Sequence, residues 1–213
     1  MAFHTWLAFV AASAVLLFIP GPTVLLVIGY ALSRGARVAA LTAIGVALGD
    51  ATAMGASLAG LGLVLSASAG LFTVLKLAGA AYLVWLGVRM WRAAPSYGPP
   101  DAGGAEPAAP PPASRLRMIG HAYLVTATNP KSIAFFLAFV PQFVNHDAPA
   151  GPQMAVLLTT FVVMAFINVL MYAGLAGSVR RTIARPGIIR AIHRTGGALL
   201  IGAGVWTALK KAA

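Results

Sequence analysis

The stretch Phe18-Ile19-Pro20-Gly21-Pro22-Thr23 interrupts an apolar segment, residues 5–31, that otherwise has the length and composition of one membrane-spanning helix. Each proline removes a backbone donor and clashes with the preceding helical turn, so two prolines and a glycine predict a break in that helix. Within a bilayer such a break is tolerated only where protein or a water-filled cavity satisfies the freed backbone groups. The stretch therefore predicts a polar site beside a broken helix, and a simple proline kink is the alternative.

The composition is typical of an integral membrane protein. The chain has 213 residues, of which 60% are hydrophobic and only 9% are charged. It contains no cysteine, which excludes disulfides and thiolate chemistry, and its four histidines do not have metal-ligand spacing. The net charge of +11 follows mostly from the presence of only four acidic residues, and the basic residues lie in short loops. We therefore expect neither a metal centre nor nucleic-acid binding.

Six apolar stretches are long enough to cross the roughly 30 Å hydrocarbon core of a bilayer. They cover residues 5–31, 38–65, 71–91, 118–140, 153–178 and about 192–209. Between the third and fourth stretches, residues 93–114 contain seven prolines, and we expect this linker to be disordered. Of the 15 Lys and Arg residues, 11 lie in or beside the loops that follow the first, third and fifth stretches. This bias predicts that those loops, including the linker, are cytoplasmic and that both termini face outward.

The second half of the chain repeats a pattern of the first half at identical offsets. Leu75-Lys76-Leu77-Ala78-Gly79, Leu83 and Gly87 correspond to Ile192-His193-Arg194-Thr195-Gly196, Leu200 and Gly204. The break at Pro20-Gly21-Pro22 likewise has a counterpart in Asn129-Pro130-Lys131. Because three spans per half is an odd number, the two halves must lie in opposite orientations, as in secondary transporters with inverted repeats.

The predicted fold is therefore an all-α membrane protein with six transmembrane helices in two inverted three-helix repeats, in which the first and fourth helices are broken. Residues 1–92 form the first repeat, residues 93–114 form the linker, and residues 115–213 form the second repeat.

Asp50 is the only acidic residue inside a predicted span. It lies about 12 residues past Arg37, which is roughly 18 Å along a helix and near the middle of the bilayer core. An unpaired charge at that depth is costly, so Asp50 is expected to face a partner or a cavity. The functional interpretation is a carboxylate that binds a proton or a substrate. The structural alternative is an ion pair with a lysine that only holds helices together.

Asn129 and Pro130 lie at a similar depth in the fourth span, where the proline frees a carbonyl near Thr126. The adjacent Lys131 needs a partner, and Asp50 is the only acidic residue deep enough to neutralise it. A proline kink capped by its own asparagine is the alternative interpretation.

Four further residues are expected to have structural or secondary roles. Gly49 and Gly79 are expected to allow close helix packing, and Asn168 is expected to form a polar tie between helices. Lys76 lies five residues into its span, so its side chain is expected to reach the outer interface.

The sequence lacks the residues that several classes of membrane enzyme require. An intramembrane aspartyl protease needs two membrane aspartates, a zinc protease needs His-Glu-x-x-His, and a rhomboid-type serine protease needs Gly-x-Ser-Gly. We therefore expect no enzymatic activity and no cofactor.

Several motifs in this order resemble the lysine exporter (LysE/RhtB) family. They are Phe18-Ile19-Pro20-Gly21-Pro22, Gly45 with Gly49-Asp50, Lys76-x-x-Gly79-x-x-Tyr82-Leu83-x-x-Leu86-Gly87, and Thr128-Asn129-Pro130-Lys131. The similarity covers the chain except for the linker. It implies a multi-pass protein of the bacterial inner membrane that exports amino acids or their derivatives, of the threonine, homoserine and lysine class, by proton antiport. Its partners would be an amino acid, protons and membrane lipid, and a homodimer is compatible with it.

The broken helices suggest how a zwitterion could be bound. Amide groups freed just after Pro22 or Pro130 suit a carboxylate, because they lie at half-helix N-termini. Carbonyls freed before the breaks, together with Asp50, suit an ammonium group. The predicted substrate-binding residues are Pro20, Gly21, Pro22, Asp50, Asn129, Pro130 and Lys131, and Asp50 is also the predicted proton-coupling residue.

Two other functions remain as alternatives to an amino-acid exporter. Efflux of a metal cation such as cadmium, within the same superfamily, is disfavoured by the absence of Cys and of paired acids in the spans. A membrane scaffold without transport activity is disfavoured because it would gain nothing from a buried aspartate.

Overall fold

The computed structural model describes residues 1–19, 21–67, 69–92, 114–145, 148–183 and 186–209, and the regular structure in these ranges is helical. The helices are α1 (Phe3–Phe18), α2 (Pro22–Arg34), α3 (Ala36–Ala39), α4 (Thr42–Ala67), α5 (Ala69–Arg92), α6 (Arg115–Ala127), α7 (Pro130–Ala138), α8 (Ala150–Ile183) and α9 (Pro186–Leu209). A short 3-10 helix, Val140–Phe143, follows α7. Pro20 and nearly all of the predicted linker lie outside the described residues.

Both predicted helix breaks are present. The axes of α1 and α2 differ in direction by 55°, and those of α6 and α7 differ by 46°. Pro22 lies in the first turn of α2, and Pro130 lies in the first turn of α7. A backbone N–H in the first turn of a helix has no intrahelical acceptor, so a proline there costs no helical hydrogen bond. Asn129 caps α7, because its Oδ1 accepts a hydrogen bond from the backbone N–H of Lys131 at 3.1 Å.

Two segments of the described chain are long and apolar enough to cross a membrane unbroken, Ala36–Gly60 and Ala150–Ala176. Counting each bent pair as one span, α1 with α2 and α6 with the segment that ends at Phe143, raises the number to four. The third and sixth predicted spans form α5 and α9, with 24 residues each, but these two helices are not among the four. The all-helical membrane fold is therefore confirmed, and the count of six spans stays a prediction.

The two bent pairs run in opposite directions. At one end of the molecule, Met1, His4 and Thr5 share a cavity of about 290 Å³ with residues 142–145, which follow α7. At the other end, the Tyr30 hydroxyl of α2 lies 3.0 Å from Nδ1 of His121, near the start of α6. The beginning of each pair thus lies beside the end of the other.

Glycines allow α5 and α9 to approach each other closely. A Cβ atom at Gly87 would lie 2.6 Å from the Gly197 carbonyl oxygen, and one at Gly204 would lie 2.7 Å from the Ala80 carbonyl oxygen. Positions 80 and 197 are 117 residues apart, and so are positions 87 and 204. Position 197 is thus the equivalent of position 80, and position 204 is the equivalent of position 87. In one contact position 87 meets position 197, and in the other their equivalents, positions 204 and 80, meet each other.

A second glycine contact brings α4 against α6. A Cβ atom at Gly49 would lie 2.8 Å from the Tyr123 carbonyl oxygen and 2.8 Å from Cβ of Thr126, and Gly45 contacts the backbone of α6 one turn earlier. This close packing, expected for Gly49, places the neighbouring Asp50 beside the α4–α6 interface.

We predict that Gly204→Ala destabilises the protein, whereas Gly202→Ala on the same helix stabilises it. The added methyl group at position 204 meets the α5 backbone, and overpacking costs about 1–3 kcal/mol. At Gly202 a Cβ atom would meet nothing within 4 Å, so alanine gains roughly 0.5–1 kcal/mol of helix propensity. Thermal unfolding in detergent measures both changes, and shifts of the same sign in the two variants would contradict the packing described.

Candidate functional site

The broken end of α1 is closed by side chains from the second half of the chain. In a continuous helix, the carbonyls of Leu16 and Phe18 would accept from residues 20 and 22, but both of those residues are prolines. Lys131 Nζ donates to the Leu16 carbonyl at 3.0 Å and to the Ile19 carbonyl at 2.8 Å. The Tyr172 hydroxyl donates to the Phe18 carbonyl at 3.1 Å. Side chains on α7 and α8 thus replace the donors that the two prolines lack.

The carbonyl freed by Pro130 has a different partner. The Thr126 carbonyl accepts a hydrogen bond from the backbone N–H of Asn129 at 3.0 Å, which is a tighter turn than the regular helical bond. The carbonyl that Pro130 deprives of its helical donor is thus satisfied locally by Asn129, in agreement with the interpretation of a proline kink capped by its own asparagine.

Thr23 of α2 contacts the end of α6. Its Oγ1 lies 3.2 Å from Oγ1 of Thr126 and accepts a hydrogen bond of 3.4 Å from Nδ2 of Asn129. Thr23 follows Pro22 as Lys131 follows Pro130, and each of the two side chains reaches the end of the other broken helix. The two breaks are therefore in direct contact with each other.

Asp50 lies deep in the protein, with 3% of its surface exposed. Among the described residues no hydrogen bond or ion pair involves its carboxylate. The basic residue that interacts electrostatically with the Asp50 carboxylate is Lys131. The ammonium of Lys131 nevertheless lies on the carbonyls of α1, so the direct ion pair considered from the sequence is not the arrangement observed.

The residues for which we expected structural or secondary roles agree with the sequence-based predictions to different degrees. Lys76 is buried, with 5% of its surface exposed, so the expectation that it reaches the outer interface was wrong. Gly79 packs against Ala138 of α7, where a Cβ atom would lie 2.6 Å from the alanine methyl group. Asn168 is buried in α8, and its role as an interhelical tie stays a prediction.

Sequence reasoning missed Thr23 and Tyr172. Comparison of the two breaks would have identified Thr23, because it occupies the position equivalent to Lys131. Tyr172 lies one helical turn after Asn168, on the same face of α8. The polar Asn168 within an apolar span was therefore the signal in the sequence that this face of α8 takes part in the site.

The sequence matches the LysE type translocator family over residues 14–211. This match covers both helix breaks and the buried Asp50 between them in the sequence. The chain belongs to the LysE-type translocator family and is a membrane transport protein.

Three relatives show how far the similarity extends. An uncharacterized membrane protein of Vibrio cholerae is 34% identical over 213 residues, which covers 100% of both chains. A homoserine/homoserine lactone efflux protein of Salmonella typhi is 34% identical over 205 residues, or 95% of this chain and 96% of the relative. A leucine efflux protein of an Enterobacter species is 30% identical over 170 residues, or 78% of this chain and 77% of the relative. No solved structure matches the chain.

We predict that Lys131→Met destabilises the protein while Lys131→Arg largely preserves it. Methionine keeps an unbranched chain but leaves the carbonyls of Leu16 and Ile19 without their donor, which costs about 1–3 kcal/mol for a buried polar group. Arginine still supplies N–H donors. Thermal unfolding of the purified variants measures the difference, and an unchanged melting temperature for Lys131→Met would show that these hydrogen bonds do not hold the break together.

Proposed function

We propose that the protein is a secondary transporter that exports amino acids or their derivatives, of the homoserine, threonine and lysine class, across the bacterial inner membrane in exchange for protons. The observation that carries the proposal is Asp50, a deeply buried carboxylate without a hydrogen-bond partner among the described residues, at the interface with a broken helix. An uncompensated acid at this depth is expensive, and in membrane transporters such residues bind ions or substrates. Efflux of homoserine, homoserine lactone or leucine by relatives supports the same activity here.

The architecture that we propose for this exporter has six spans in two inverted three-helix repeats. Its supports are the exchanged contacts of Gly87 and Gly204 and the opposite directions of the two bent pairs. A contact that exchanges equivalent positions is what a two-fold axis generates. An axis in the membrane plane would then bring the two breaks together near the midplane, as in transporters of inverted-repeat design.

The substrate would bind where the two breaks meet. The N-termini of α2 and α7 direct free amide groups and the positive end of a helix dipole towards a carboxylate. Gly21, at the start of α2, lies against Lys131, since a Cβ atom there would be 3.2 Å from Nζ. The anion site would therefore combine the ammonium of Lys131 with these amide groups, and Asp50 would receive the substrate ammonium.

Proton coupling would follow because Asp50 can bind either a proton or the substrate ammonium, but not both at once. A carboxylate that holds a proton is neutral and has little attraction for an ammonium group, whereas an ionised carboxylate attracts it strongly at low dielectric. A site that releases its substrate outside would take up a proton there and release that proton on the cytoplasmic side. Export of one molecule would thus accompany entry of protons.

We predict that Asp50→Asn abolishes proton-driven export while the protein still inserts and folds. Asparagine keeps the shape of the side chain and removes the titrating charge. Thr52→Val is the matched control, because Thr52 lies two residues away on the exposed face of α4, where its hydroxyl donates to the Leu48 carbonyl of the same helix. Export by reconstituted protein under an imposed pH gradient is the measurement.

The pH dependence separates a coupling role from a structural one. Wild type and Thr52→Val should export faster as the proton gradient steepens, and Asp50→Asn should not respond to it. Wild-type export with unchanged pH dependence in Asp50→Asn would make the carboxylate structural and overturn the mechanism.

The proposed orientation is also testable, because the chain has no cysteine of its own. We predict that Asn145→Cys is labelled from outside the cell by a membrane-impermeant thiol reagent, whereas Ser114→Cys is labelled only after the cells are opened. Both positions are exposed, and they lie at opposite ends of the fourth span. Labelling of the two positions from the same side would contradict a single broken span between them.

A further inference from the structure

We infer that Asn168 is a further substrate-binding residue, whose carboxamide oxygen accepts a hydrogen bond from the substrate ammonium beside Asp50. The inference rests on the proposed function and deepens it, because it completes the part of the site that binds the ammonium group. It assigns a role to a buried polar side chain that the proposal above does not use.

The buried apolar side chains of the described residues form two separate clusters. Helices α4 and α8 pack against each other and contribute to both clusters. The first cluster contains Met54 of α4 together with Phe161 and Ala165 of α8. The second contains Val46 of α4 and Val169 of α8. The residues that α4 and α8 place between the two clusters therefore lie at one level of the molecule.

Asp50 and Asn168 are buried polar residues at this level. Val46, Asp50 and Met54 follow one another at intervals of four residues, so they lie along one face of α4. Asn168 lies in α8 between the last residue of the first cluster and the first residue of the second. The carboxylate and the carboxamide thus enter the same polar layer between two apolar clusters.

The face of α8 that carries Asn168 reaches the broken end of α1. Tyr172 follows Asn168 by one helical turn and donates to the Phe18 carbonyl. Lys131 binds two neighbouring carbonyls of α1 and interacts electrostatically with Asp50. Asn168 therefore lies on the side of α8 that faces the candidate site.

The carboxamide of Asn168 has no hydrogen-bond partner among the described residues, although only 6% of the surface of this residue is exposed. A buried amide without a partner is unfavourable, and such a group in a folded protein calls for a functional explanation. An interhelical tie, the role expected from the sequence, would need a partner on a neighbouring helix. A ligand bound between α4 and α8 supplies that partner instead.

The available acceptors indicate which group of the substrate Asn168 binds. An ammonium group carries three N–H donors. The carbonyls at the end of α1 already accept from Lys131 and Tyr172, and the Thr126 carbonyl accepts from Asn129. The substrate carboxylate, in contrast, has the Lys131 ammonium and the amides of two helix N-termini as donors. Acceptors are therefore the scarcer groups in this site.

The carboxamide oxygen of Asn168 supplies one such acceptor next to the Asp50 carboxylate. An asparagine does so without a second negative charge, which would be costly at this depth. A neutral second acceptor also leaves Asp50 as the single group that exchanges a proton for the substrate.

The test compares Asn168→Leu, which removes the acceptor, with Asn168→Asp, which keeps it. Thr159→Leu is the matched control, because it replaces an exposed polar residue of the same helix. Export of homoserine and of leucine is measured from proteoliposomes that contain the full-length protein, over a range of substrate concentrations and under an imposed pH gradient.

Asn168→Leu should raise the concentration for half-maximal export about tenfold, because it removes a hydrogen bond to a charged group. The increase should be equal for homoserine and leucine, which share the ammonium group. The response to the pH gradient should remain, since Asp50 is intact. Asn168→Asp and Thr159→Leu should keep the half-maximal concentration near the wild-type value.

Three results would overturn the inference and leave the proposed function intact. An unchanged half-maximal concentration in Asn168→Leu, with or without a loss of thermal stability, would make Asn168 structural. A larger increase in Asn168→Asp than in Asn168→Leu would mean that the amide binds the substrate carboxylate. An increase for only one of two exported amino acids would mean that Asn168 contacts the substrate side chain.

Two further outcomes are also decisive. If Asn168→Leu does not insert, Asn168→Ala must give the same increase, and its failure to do so counts against the inference. Export of neither amino acid by wild type would overturn the proposed function itself, and the inference with it.

Discussion

The arrangement around the candidate site depends on one constraint, the hydrogen bonding of carbonyls that the helix break at Pro20-Gly21-Pro22 has left without their helical donors. Lipid supplies no N–H or O–H groups, so each such carbonyl needs a partner from the protein or from enclosed water. Here the Leu16 and Ile19 carbonyls are bound by Lys131 and the Phe18 carbonyl by Tyr172. Because both donors come from the second half of the chain, repair of the break in the first half also joins the two halves.

The remaining contacts follow from the weakness of the hydrophobic drive between helices in a membrane. Lipid tails are as apolar as leucine, so helices associate through close packing and interhelical hydrogen bonds. Gly49 gives α4 such a contact with α6, and Gly87 and Gly204 give α5 and α9 theirs. Closely packed helices therefore surround two breaks whose ends are held by side-chain hydrogen bonds.

Local chemistry made much of the fold predictable. The breaks at Pro22 and Pro130 follow from the missing N–H of proline, and the burial of Asp50 follows from its depth in an apolar span. The partners of Lys131 were not predictable, because the Leu16 and Ile19 carbonyls lie 115 and 112 residues away in the sequence. A charged side chain suggested an acidic partner, whereas backbone oxygens, which every sequence contains, provided the actual one. Lys76 was misjudged for a related reason, since distance from a helix end does not reveal what covers a side chain.

The position of Lys131 has a further consequence for affinity. Its ammonium occupies the very oxygens that a ligand ammonium would seek at the end of α1, so the protein carries its own competitor. Any ligand that uses these oxygens must first displace a tethered group of the same chemistry, and each 1.4 kcal/mol spent in that exchange weakens apparent binding tenfold. Such internal competition raises the ligand concentration at which those oxygens become half occupied.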